Sequence, residues 1–237
     1  MYQYHKDRPT PHLLHDIVKG NMWDTRPVNI FGFNRTIGTS FETIWDDGGN
    51  YAYPSSAVQM DATSSSSSDT MDVKISGLDA NYVEISETVT LTGTGTVTTT
   101  ASFLRINSAV ILAGSNVGNI TISNGGTTYA YIGATLGTTQ SSVYTVPAEH
   151  SLYLFRIDVT SGTNNGQKYL TFRNVAKTHT GRILRVAEAT FSTSQVSFDR
   201  QVPFKIGEKT DFHFEAKSSA SENEVSIFIE AILVKDD

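Results

Sequence analysis

Six histidines and one short acidic run are the groups in this chain best able to hold a metal. His5, His12 and His15 lie close together, and His12 and His15 share a face if their segment is helical. Imidazole suits zinc, but a zinc site needs further ligands at set spacing. No acid stands at such a spacing, and the chain has no cysteine. His150, His179 and His213 are dispersed. Asp46-Asp47-Gly48-Gly49-Asn50 looks like half of an oxygen-rich calcium loop, without the alternating acids and distal Glu that complete the cage. It reads as a turn. Glu84 and Glu87 offer an acid/base pair, but three residues apart on a strand they face opposite sides, which separates the carboxylates that glycoside hydrolysis needs together. Gly93-x-Gly95 lacks the third glycine and the helix of a dinucleotide loop. No nucleophile elbow, phosphate loop or His-Glu-x-x-His is present. No catalytic residue, metal or cofactor is expected, and the chain reads as a non-enzyme.

Composition points the same way. Of 237 residues, 18% are charged, against roughly a quarter in an average soluble protein. Between Thr88 and Ala148 the only charged side chain is Arg105. A surface made of Ser, Thr, Asn and Gly suits a shell that meets copies of itself better than it suits catalysis. The net charge of −6 and the lack of a basic patch argue against direct nucleic-acid contact. No apolar run reaches the length of a membrane span, and the polar segment Met1–Thr10 has no secretory core. Synthesis in the cytoplasm is expected, with no membrane partner.

Periodicity predicts an all-β protein. Thr88, Thr90, Thr92, Thr94, Thr96 and Thr98 alternate with Val89, Leu91, Gly93, Gly95 and Val97, the pattern of a sheet wetted on one face. It predicts one long strand from Thr88 to Thr99. Asn124-Gly125-Gly126 predicts a hairpin turn, since Asn and Gly accept positive φ, and a second turn falls around Asn165-Gly166. The serine run Ser64–Ser68 reads equally as exposed strand or turn. About a dozen short strands with turn signals every 8 to 12 residues make an antiparallel β-sandwich or jelly-roll-like body. Helical spacing is confined to His12–Lys19. From there to Trp45 aromatic residues appear without clear period, predicting an extended N-terminal arm (1–45) ahead of a sandwich body (46–237).

A resemblance enters with particular stretches. The run ISGLDANYVEISETVTLTG (75–93), followed by TTTASFLRIN (98–107), resembles a family of virion structural proteins from tailed, mainly marine, bacteriophages. Phe31–Asn34, Glu42–Gly49, Tyr144–Pro147, Glu208–Asp211 and Lys217–Ala220 are similar to its signatures, so the likeness runs from about residue 30 to the end. It implies a non-enzymatic virion component, a head decoration, neck or tail-associated protein that oligomerises as a trimer and meets other virion proteins. Trp23, Phe31, Phe33, Phe41 and Trp45 are the expected partner contacts of the arm, and removal of residues 1–29 is expected to leave the body folded. The alternative is a receptor- or glycan-binding module of a fibre or spike, with Tyr129, Tyr131 and Tyr144 as glycan or inter-subunit contacts. Arg182, Arg185 and Arg200 read as solvated surface or as an oligomer contact.

Overall fold

The computed structural model describes residues 13–162, 169–185, 187–220 and 222–236. His5, His12 and the turn expected around Asn165-Gly166 lie outside them. One helix, α1 (Leu13–Val18), precedes the strands β1 (Thr25–Ile37), β2 (Glu42–Thr43), β3 (Val58–Ser64), β4 (Asp72–Leu78), β5 (Glu84–Thr90) and β6 (Val97–Phe103). There follow β7 (Arg105–Ile111), β8 (Ile120–Asn124), β9 (Thr127–Ile132), β10 (Tyr144–Thr145), β11 (His150–Ser161) and β12 (Leu170–Thr178). The last are β13 (Ile183–Leu184), β14 (Glu188–Phe191), β15 (Gln195–Ile206), β16 (Thr210–Ser218) and β17 (Asn223–Lys235). Every pairing is antiparallel.

Two sandwiches result. The first has one sheet ordered β1-β17-β11-β15, packed on a second in which β16 pairs β2, β10 and β12, and β12 pairs β13 and β14. Taking β1, β2, β11, β12, β14, β15, β16 and β17 as strands one to eight, the sheets run 1-8-3-6 and 2-7-4-5. That order is the jelly roll, two Greek keys wrapped face to face. Its core follows from period-2 patterning: Val225, Ile227, Ile229, Ala231 and Leu233 of β17 all point inward, against Phe172, Phe212 and Phe214 of the other sheet. One extra residue on β11, Phe155, shifts the register so that both Leu154 and Ile157 stay inside.

The second sandwich, β3 to β9, is inserted between strands two and three of the jelly roll. Its sheets are β6-β3-β8-β9 and β5-β4-β7, around Met60, Ile75, Phe103, Ile120 and Ile122. The threonine-rich stretch is not one strand. It turns over at Leu91–Thr96, where Gly93 holds φ at 70°, so that β5 lies in one sheet and β6 in the other. A left-handed residue cannot continue a pleated ladder, and glycine accepts it without steric cost. The serine run closes β3 and then turns.

Residues 25–45 are not an arm. β1 pairs with β17 from Thr25 to Ile37, and Ile30, Ile37, Ile44 and Trp45 are buried. They complete the jelly-roll sheet, so removing residues 1–29 would cut into a core strand. The inward positions of β1 include Gly32 and Asn34, which interrupt the apolar alternation. Gly32 is required for packing, since a Cβ there would come within 2.6 Å of the Ile44 carbonyl and 2.7 Å of the Ser142 nitrogen.

Candidate functional site

The chain enters and leaves the inserted sandwich at neighbouring points. Trp45 bridges Ser141, the Asp46 amide donates to the Gln140 carbonyl, and the Ser142 amide donates to Ile44. Three elements of the insertion return to this joint: the β4–β5 turn, the β6–β7 corner and the segment 50–57. Gly77 lets β4 close on β7, because a Cβ there would overlap the Arg105 carbonyl oxygen.

Arg105 is the centre of the joint. Its Nε and Nη2 bond the two carboxylate oxygens of Asp211 on β16 at 2.6 and 2.8 Å, and its Nη1 donates to the Pro54 and Leu104 carbonyls. The guanidinium also lies over the rings of Tyr53 and Tyr82, 5.1 and 5.7 Å from their centroids. Both charged side chains are only 9% exposed. Asp211 accepts a further bond from the Thr145 hydroxyl, and Asn107 exchanges two bonds with the backbone of Thr145. A lone charge in an uncharged stretch thus locks one sandwich to the other through a bidentate, nearly dry pair.

Beside it runs an aromatic ladder, Trp45 to Tyr51 to Tyr53, in edge-on contacts of 5.1 and 4.9 Å. The Tyr53 hydroxyl lies 3.1 Å from His213 Nδ1, and His213 Nε2 lies 3.3 Å from Glu215. Arg173 Nε bonds the other Glu215 oxygen at 2.7 Å and caps the Phe41 ring from 3.6 Å. Hydrogen bonding from His213, then from Arg173, outweighs burial and holds the Glu215 carboxyl at about 2. Since that lies below the unfolded value of about 4.5, the associated stability is full above pH 4.5 and is lost as pH falls towards 2. It is worth up to about 3 kcal/mol. Urea midpoints measured from pH 6 to 2 should fall through this window, and Glu215→Gln should flatten the fall.

A crown of four loops, 64–71, 91–96, 112–119 and 133–137, closes the inserted sandwich at the ends of β3, β5, β7 and β9, its last loop lying against the Asp46 side chain. Asp69, fully buried, is one of its two polar nodes. It accepts the Ser64 hydroxyl at 2.5 Å, the Val117 amide at 2.7 Å and the Gly118 amide at 2.9 Å. Burial opposes its charge, yet these three bonds win and hold the carboxyl below its ordinary range. Asn116, also buried, is the second node: its side chain donates to Gly118 and Gly133 and accepts from Gly137. Asp69 and Asn116 sit in Ser/Gly-rich loops and carry no period-2 signal, so sequence reading missed both.

The expected site residues do not converge. Trp23 is 92% exposed and Phe31 42% exposed. Phe33 is half-buried under Arg35, and Phe41 is clasped between Arg173 and Lys217. Trp45 is buried in the joint, its indole donating to Gly49, and is not free for a partner. Tyr131 faces outward on β9 and Tyr129, at a bulge, packs half-buried against the second core, whereas Tyr144 is buried on β10 in the joint, its hydroxyl pushed up to about 12 mainly by burial. Glu84 pairs with Arg26 and Glu87 receives the Thr100 and Ala101 amides, so the two acids part as their spacing requires. Asp46 pairs with Arg35. Arg182, Arg185 and Arg200 are exposed. Among the described residues no three His, Cys, Asp or Glu side chains gather to hold a metal ion, and no helix is long and apolar enough to cross a membrane.

A cleft of about 620 Å³ separates the free edge of β1 from the outer face of β5-β4-β7. The Arg26–Glu84 ion pair crosses it near Tyr144.

No protein-family profile matches the chain, and no curated protein matches it. Among solved structures, the VP2 subviral particle of infectious bursal disease virus is similar over 90% of this chain and 77% of that one, at 8% identity and a TM-score of 0.22. The Gt strain of the same virus matches over the same shares at 10% identity and the same score. Likeness at this level carries no inference. The jelly-roll assignment stands on the strand order alone.

Proposed function

We propose that the chain is a non-enzymatic structural component of a virion, which self-associates through its jelly roll and presents the inserted sandwich away from the assembly. The carrying observation is the strand order 1-8-3-6 over 2-7-4-5, an architecture used repeatedly by viral capsid and lectin domains. That warrant is an analogy of fold, and the sequence resemblance to tailed-phage virion proteins supports it. A head-decoration, neck or tail-associated station and a trimeric state belong to the same reading.

Attachment is assigned to the segment before β1. Trp23, almost fully exposed, and Val18, 68% exposed, stand there while Ile17 is buried. Each large apolar side chain contributes a few kcal/mol when covered, and several copies add avidity. Removing residues 1–22 together with Trp23→Ala should leave the circular dichroism and the light-scattering mass of a trimer unchanged. Incorporation into particles, read by quantitative immunoblot of purified virions, should fall at least about tenfold. Normal incorporation would refute the attachment role, and a dilution-independent monomer would refute self-association.

A further inference from the structure

We infer that the cleft between the two sandwiches binds an oligosaccharide bearing a carboxylate. Its floor is the outer face of β5-β4-β7, where Ser86, Ser76 and Ser108 stand opposite one another in a single cross-strand row. Adjacent strands lie about 4.8 Å apart, so the row presents three hydroxyls at regular spacing, each able to donate and accept. Sugar hydroxyls do the same. One step along β4 lies the exposed Lys74, between Thr88 and Val110. It has no ion-pair partner among the described residues, and the nearest acid on its face, Asp72, accepts the Thr90 hydroxyl instead. Arg26, at the wall, is already matched by Glu84. Among the described residues Lys74 is therefore a cation of the cleft that no carboxylate reaches within ion-pairing distance, in a protein whose net charge is −6. Phe31, half-exposed at the rim, offers a ring face or edge for the apolar side of a pyranose.

The same cleft borders the free edge of β1, so an extended peptide adding a strand there is the competing occupant. Pro27 stands on that edge without an N–H to donate. The floor is a flat row of serines rather than the alternating pockets that peptide side chains need. Both features favour the saccharide.

The test uses the full chain and three probes: a tetrasaccharide of uronic acid, a neutral glucose tetrasaccharide and an acidic hexapeptide. Amide chemical-shift changes are followed up to about 10 mM probe. The uronate should shift residues of β4, β5 and β7 together with Phe31. Lys74→Gln should weaken it roughly fivefold, and Ser76→Val should abolish shifts, while both variants keep the native spectrum elsewhere. Equal binding of the neutral sugar, indifference to Lys74→Gln, preference for the peptide, or no shift with any probe would each overturn the assignment. Purified chain suffices, so failure here leaves the virion reading untouched.

Discussion

Arg105→Ala lowers the unfolding free energy by about 3–5 kcal/mol, because it strands a buried carboxylate. Asp211 keeps only the Thr145 hydroxyl after the change, while the Pro54 and Leu104 carbonyls lose their donor. Tyr53 and Tyr82 lose the cation between them. The damage falls where the β6–β7 corner meets β16, so it should also uncouple the two cores. Urea unfolding followed by tryptophan fluorescence (Trp45 sits in the joint) and by amide exchange in β8 should give two transitions where the wild type gives one. The paired replacement Arg105→Met with Asp211→Leu should recover most of the loss, since a buried ion pair is often no better than apolar packing of similar volume. A single-variant loss below about 1 kcal/mol, the value for a solvated pair, would refute the clamp.

Asp69→Ala should be the next most damaging change, at about 3 kcal/mol, because three donors lose one acceptor. Asp69→Asn should do little better. Oδ1 receives Val117 and Oδ2 receives both Ser64 and Gly118, so an amide nitrogen in either place faces a donor with a donor. The loss should be local. Amide exchange should quicken at Gly93 and Gly118 and at the neighbouring loop residues, with β17 and β11 unchanged. Uniform exchange across both sandwiches would show that the crown is not an independent unit.

Much of the architecture was legible from side-chain period. β17, β12 and β16 alternate cleanly, and the Asn124-Gly125-Gly126 turn sits where its residues demand, with both glycines at positive φ. β1 was hidden because Gly32 and Asn34 occupy inward positions that hydrophobic patterning expects to be apolar. The long threonine run was over-read because alternation continues through a turn that only the backbone at Gly93 reveals. Arg105 stood out as a lone charge, but its partner lies 106 residues away, and no local pattern pairs them. Asp69 looked like the end of a serine tract; its role depends on amides contributed by another loop.

The paired connectors at Trp45 and Ser141 make the inserted sandwich a cassette. A short linker from Trp45 to Ser141 should yield a free-standing eight-stranded shell, and a foreign module with adjacent ends could be grafted at the same point. Either construction inherits one debt from the parent: Asp211 must be changed with it, or the graft begins life with an orphaned acid beneath its foot.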